Sequence, residues 1–357
     1  MNLRQTVCVL LHLAVMTGTA SAAGGVRVVR TPGDGAVPDA EIGLDGTVHV
    51  TYVAGDDVYY ARSTNEGSTF LPPLRVNSQP GTAHPPGMFR GPDLALGEND
   101  SAHVIWYANA YQRKRPKEEW GVYYARLPRT ADAFAPAVNL NHRPSDNYSI
   151  AADTRGRVAV FWMAEGLYLN ESKDNGVTFA ATEKVTPADS CECCASRAFI
   201  GPDGSLFCAY RDKAGNQRDM YLLTKRLRAT EWTKTKASGT PWMINGCPMT
   251  GTYLAGAGDG AAMAWETKGI ISFARFDANG RMTGREITVP GDGGKYPVVL
   301  VGLDGVACVS WKKSSALHWR LFAADGRALG EPASQPSPNG HRHAGVVTKH
   351  GEFLLID

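Results

Sequence analysis

Three thiols fall within four residues at Cys191-Glu192-Cys193-Cys194, and a fourth, Cys247, stands in Gly246-Cys247-Pro248-Met249 with Met243 just upstream. Several thiolates and a thioether suit a soft ion, Cu(I) before Zn²⁺. The spacing Cys-x-Cys-Cys is not a usual zinc pattern. Two other chemistries use the same residues. In an oxidising compartment the cysteines pair as disulfides, although the neighbours Cys193 and Cys194 do not readily pair with each other, so one thiol is left over or joins Cys247. A redox-active thiol pair is the third reading, and Glu192 is expected to raise a neighbouring thiol's pKa and blunt it. Cys208 and Cys308 lie inside apolar runs, Leu206 to Tyr210 and Val306 to Ser310, and read as small core residues.

Other polar groups lie close in sequence. Arg211, Arg218 and Asp219 form either a ligand-binding network or an ion-paired loop support. His341 and His343 flank Arg342. Side chains at i and i+2 of a strand point the same way, so the pair could add imidazole ligands; plain exposed loop histidines are the other reading.

The elements that must position these residues come from a repeat. An apolar strand enters a tight turn, and a second alternating strand ends in an aromatic. Asp45-Gly46 leads to Tyr52, Asn99-Asp100 to Trp106, Arg155-Gly156 to Trp162 and Asp203-Gly204 to Tyr210. Asp259-Gly260 leads to Trp265, Asp304-Gly305 to Trp311, and His350-Gly351 closes the series. These dipeptides tolerate the positive φ of a hairpin turn. Copies recur about every 45 to 56 residues, with room for two further strands in each, as in β-propeller blades. The expectation is an all-β propeller of four-stranded blades, seven in number, with six plus a hairpin as the alternative. Val26 to Arg30 is a spare strand that closes the ring on the C-terminal copy. Cys191–Cys194 and Cys247 each precede the inner strand of adjacent blades, so their two loops should meet on one face near the central channel.

The chain begins with Arg4, an apolar run from Val7 to Met16 and the small-x-small site Ala20-Ser21-Ala22. Residues 1–22 read as a signal peptide, 23–357 as one propeller domain, and the destination as periplasmic or secreted. With 37 basic and 35 acidic residues, nothing points to nucleic acid or an anionic membrane surface. The 39 glycines, 8 Trp and 13 Tyr agree with strands joined by tight turns.

Ser172-Lys173-Asp174-Asn175-Gly176-Val177-Thr178-Phe179 resembles the Asp-box, the neuraminidase repeat of the sialidase superfamily. Ser63-Thr64-Asn65-Glu66-Gly67-Ser68-Thr69-Phe70 resembles it with Asn for Asp. The resemblance implies structural turns away from any active site. Phe89-Arg90-Gly91-Pro92 resembles the family's Phe-Arg-Ile-Pro motif but departs at its third residue and follows a full blade. An exo-sialidase reading would use an arginine triad drawn from Arg90, Arg211 and Arg342 on a substrate carboxylate. No segment matches the family's Tyr–Glu nucleophile pair. The Cys-Glu-Cys-Cys loop, Tyr210-Arg211-Asp212, Arg218-Asp219 and Cys247-Pro248 resemble an exported bacterial subgroup of sialidase-like propellers, a likeness that implies no activity. The leading expectation is therefore a non-hydrolytic propeller binding Cu(I) or another ligand at a cysteine-lined face. The alternatives are an exo-sialidase-type glycosidase, and a platform for a glycan or periplasmic protein held by structural disulfides.

Overall fold

The computed structural model describes residues 25–85, 90–108, 114–145, 147–187, 190–338 and 342–357. The signal-peptide segment, Phe89 and His341 lie outside them.

Seven sheets follow one another along the chain, six of four strands and a seventh of three. Their first strands are Ala36–Ile42, Asp93–Leu96, Asn147–Ala152, Arg197–Ile200, Thr252–Ala257, Lys295–Val301 and Ala344–Val347. Each touches the first strand of the next sheet, and the last touches the first, so these strands ring a central axis. The arrangement is a seven-bladed propeller with only three short 3-10 turns among the described residues. No helix of the described residues is long and apolar enough to cross a membrane.

The repeated turns do what their residues dictate. Gly46, Gly156, Gly204, Gly305 and Gly351 all sit at φ between 79° and 83°, where a Cβ is strained. In the second blade Asn99 and Asp100 both take φ of 55° instead. In the fifth the left-handed residue is Gly258, ahead of Asp259-Gly260.

Blades pack face to face through the second strands. Val58, Tyr60, Leu94, Val104, Trp106 and Leu127 form one such layer between the first and second blades. Cys208 and Cys308 are fully buried in comparable layers, as expected of small core residues. Burying each large side chain there contributes about 1.5–3 kcal/mol.

The ring closes as the sequence implied. Val26–Val29 pairs in parallel with Phe353–Ile356, giving the C-terminal hairpin its third strand. Arg27 fixes the join through Glu352 (2.9 Å) and the Glu66 carbonyl (2.6 Å). The seventh blade therefore has three strands, two from the last copy of the repeat and one from the N-terminal segment.

Both Asp-box-like turns join a third strand to a fourth. Asp174 Oδ1 accepts from Ser172 Oγ (2.7 Å) and the Thr178 amide (2.9 Å), and Gly176 donates to Ser172 Oγ (2.9 Å). Ser63, Asn65 and Gly67 repeat the pattern: Asn65 Oδ1 accepts from Ser63 Oγ (2.8 Å) and the Thr69 amide (2.9 Å). Ser172 is 1% exposed, so its loss strands a buried amide. We expect Ser172→Ala to lower the unfolding free energy by about 1–2 kcal/mol in urea titrations. Val177→Ser on the exposed tip of the same turn should stay within about 0.5 kcal/mol. Equal effects at the two positions would show that the turn's hydrogen bonds carry no stability.

Candidate metal centre

The cysteine loop is hung on three neighbours. Cys191 N donates to the Arg211 carbonyl (2.9 Å), and Cys194 N to the Cys191 carbonyl (3.1 Å), folding the four residues into a tight turn. Asn147 of the third blade holds the far side. Its Oδ1 accepts from Ser196 N (2.8 Å) and Oγ (2.9 Å), and its Nδ2 donates to the Cys194 carbonyl. Glu192 turns outward, accepting the Glu165 amide (2.5 Å).

The second loop arrives from the fifth blade. Trp242 N donates to Asp219 Oδ1 (3.1 Å), Arg218 N to the Trp242 carbonyl (2.8 Å) and Ile244 N to the Asn216 carbonyl (2.9 Å). These contacts bring Cys247 onto the cysteine turn, where it forms a disulfide with Cys193 across 6.5 Å of Cα separation. The two loops meet, as the repeat implied.

Beneath the disulfide lie two free thiols. Cys191 Sγ is 3.3 Å from Cys194 Sγ and 3.5 Å from Cys193 Sγ, and Cys193 and Cys194 are 3.9 Å apart. The sulfurs of Cys191, Cys193 and Cys194 all lie within 4.8 Å of one another, close enough to hold one metal ion. Cys191 is 3% exposed and Cys194 is fully buried.

The two free thiols are not equivalent. Burial acts to raise both. At Cys194 that effect is outweighed by the hydrogen bond from Cys191, the positive Arg211 and the amides of Thr250 and Met249, so its thiol is held below the usual range. Cys191 donates the shared hydrogen bond and is pushed up. The Glu192 carboxylate accepts the Glu165 amide, and the rise at Cys191 comes chiefly from its hydrogen bond to Cys194 and from burial. Met249 presents its backbone amide to Cys194 and is 40% exposed; Met243 is 63% exposed.

Arg211 and its neighbours support this loop. Arg211 is fully buried, donates to the carbonyls of Arg218 (2.8 Å) and Glu266 (2.5 Å), and stacks on Trp242 at 4.9 Å. Arg218 caps the Gly215 carbonyl (2.5 Å), and Asp219 pairs with Lys236 (2.7 Å). The three share carbonyls and a lysine rather than pairing with one another.

A second polar cluster lies on the axis, and no local motif marks it. Arg197, at the start of its inner strand, reaches Asp39 (2.7 Å), Glu41 (3.5 Å) and Asp93 (3.8 Å) and stacks over Tyr253 at 4.7 Å. Arg342 adds bonds to Asp93 and the Pro92 carbonyl, both 3.1 Å. Arg90 and Arg342 both act on the buried Tyr148 hydroxyl, which donates to the Gly91 carbonyl (2.8 Å). Arg211, the third arginine of the sialidase-type assignment, sits with the cysteines instead. Arg197, Glu41 and Tyr253 line an axial cavity of about 200 Å³, otherwise walled by apolar residues such as Phe199, Leu300 and Val346. Loss of hydration at the channel wall pushes the Glu41 carboxyl, whose side chain is still 39% exposed, up to about 7, with Arg197 opposing. The signal for this cluster was positional: Asp39, Glu41, Asp93, Arg197 and Tyr253 all lie on inner strands, and Arg342 just precedes one. His343 faces Ser310 (2.8 Å) in full burial, and burial pulls its pKa well down.

Comparison with known proteins bears on the fold. No protein-family description matches the sequence, and no curated protein matches it. Solved structures do match. An ulvan lyase, a polysaccharide lyase, superposes with a TM-score of 0.57 at 14% identity, over 91% of this chain and 88% of its own. A Dyadobacter fermentans protein of unknown function gives 0.54 at 14%, over 88% and 97%. The leech intramolecular trans-sialidase gives 0.50 at 11%, over 85% and 68%. The fold is that of a sialidase-like propeller. Within this sialidase-like propeller the cysteine loops lie where chain enters two adjacent inner strands.

Proposed function

We propose that this is an exported, non-hydrolytic propeller that binds Cu(I) through its cysteine loops. The observation that carries the reading is the convergence of four sulfurs from two blades, three within 4.8 Å of one another and the fourth bonded to one of them. With the disulfide reduced, Cys193 and Cys247 join the free Cys191 and Cys194 as thiol donors, a set that favours a soft monovalent ion. The burial of Cys191 and Cys194 keeps water and oxidant from the ion.

The reduced protein should take up one Cu(I) in competition with a chromogenic chelator. Cys194→Ser should weaken that binding at least tenfold, and Cys208→Ser should leave it unchanged. Reduced protein that leaves all Cu(I) with a weak chelator would sink the proposal.

The non-hydrolytic part rests on charge. Arg197 and Arg342 are already matched by Asp39, Glu41 and Asp93, and Arg211 is bound to backbone carbonyls, so two arginines of the sialidase-type assignment are engaged within the protein. A fluorogenic sialoside should remain uncleaved. Turnover that disappears in Arg342→Ala would instead establish a glycosidase.

A further inference from the structure

Two of the four rim cysteines are oxidised and two are not, although all four are in contact. Cys247 is exposed, Cys193 is half-buried, and the Cys191–Cys194 dithiol lies under them. Cys191 and Cys194 also have the Cys-x-x-Cys spacing on which thiol–disulfide exchange commonly runs. The 3.5 Å between Cys191 and Cys193 Sγ is a contact from which a thiolate can attack a disulfide sulfur, and the 3.3 Å between Cys191 and Cys194 offers the next contact in line.

We infer that these four residues form an internal disulfide relay, in which the buried Cys191/Cys194 dithiol opens the Cys193–Cys247 bond and takes the disulfide into its own turn. In the first step Cys191 passes its proton to Cys194 Sγ, the acceptor of its hydrogen bond, and attacks Cys193 Sγ. The Cys191–Cys193 bond forms, the Cys193–Cys247 bond breaks, and Cys247 leaves as a thiolate and takes up a proton. In the second step deprotonated Cys194 attacks Cys191 Sγ. The Cys191–Cys194 bond forms, and Cys193 leaves and is protonated. One disulfide and two thiols are present before and after, so no outside oxidant or reductant is consumed. One isomer staples the fourth blade to the fifth. The other confines the disulfide to a single turn and leaves Cys193 and Cys247 as a free thiol pair facing each other across two blades.

The two isomers differ after trypsin. The staple joins peptide Val185–Arg197 to peptide Ala237–Lys268, whereas the relayed bond is a loop within Val185–Arg197. Protein purified without reductant, incubated without oxygen, then denatured in N-ethylmaleimide and mapped by mass spectrometry should show both isomers with a constant number of free thiols. Cys191→Ser should retain the staple alone. Cys194→Ser should stop after the first step, giving a Cys191–Cys193 loop and alkylated Cys247. A wild-type chain that stays fully stapled over hours at pH 8 would overturn the relay, as would Cys191→Ser yielding free Cys247 at the wild-type rate. The Cu(I) reading is judged separately, on fully reduced protein, so either idea can fail alone.

Discussion

Arg197→Ala should lower the unfolding free energy by about 3–5 kcal/mol, the usual result of removing one partner from a buried ion cluster. Arg197 is 5% exposed, and Asp39 and Asp93 are each 1% exposed. Without the guanidinium, two carboxylates face each other with Glu41, and Arg342 remains to offset them. Asp39 also accepts the Leu94 amide (2.8 Å), so the cluster ties the first, second and fourth blades together at the axis. The charge origin has its own signature. Asp39→Asn combined with Arg197→Met should recover part of the loss, because a neutral pair leaves less buried charge to desolvate. Urea unfolding followed by tryptophan fluorescence gives both values. A loss below about 1 kcal/mol for Arg197→Ala, or strict additivity in the double variant, would show that the cluster does not hold the ring.

The second large effect is on pH. His49 and His103 occupy equivalent places in the first two blades, each against a third-strand tyrosine. His49 Nδ1 lies 2.5 Å from the Tyr60 hydroxyl, and His103 Nδ1 2.7 Å from that of Tyr124. His103 Nε2 also meets Asn175 Oδ1 (3.1 Å) of the neighbouring Asp-box-like turn, which makes Nε2 the protonated nitrogen and Nδ1 the acceptor. Burial pulls each imidazole from 6.5 down to about 4; Asp100 opposes this at His49, and the Asn175 bond at His103. The sign follows from linkage. Below 6.5 the unfolded chain binds a proton at each histidine and the native chain does not, so stability falls as pH drops from 6.5 toward 4. Each site is worth about 3 kcal/mol over that range. Glu41 works the other way, since its raised pKa favours the native state as pH falls below 7. The clean measurement is therefore a difference: His49→Gln and His103→Gln should each lose less stability than wild type between pH 7 and pH 4.5. Parallel pH curves for wild type and both variants would refute the assignment.

The blades were readable because each turn needs a left-handed residue and each second strand must be apolar on both faces. Both demands act locally and recur seven times. The loops carrying Cys191–Cys194 and Cys247 could be set side by side from that repeat alone. Which cysteines pair could not, because Cys193 meets Cys247 only through contacts made by Asn147, Asp219 and Trp242. The axial cluster was hidden for a related reason. Arg197 and Asp39 are 158 residues apart, and each alone is an ordinary charged residue on an inner strand. The arginines singled out by resemblance went to different tasks: Arg211 steadies the cysteine loop, and Arg342 neutralises Asp93. His49 and His103 were equally silent, although His-Val in two successive second strands was a signal open to a blade-by-blade alignment.

If, as we propose, sulfur from two blades surrounds a soft ion, X-ray absorption at the copper edge of the Cu(I)-loaded, reduced protein should show it. The expected first shell holds about three sulfur scatterers with no nitrogen or oxygen, and loses one sulfur in Cys194→Ser. A shell dominated by nitrogen or oxygen, or one unchanged by Cys194→Ser, would contradict it.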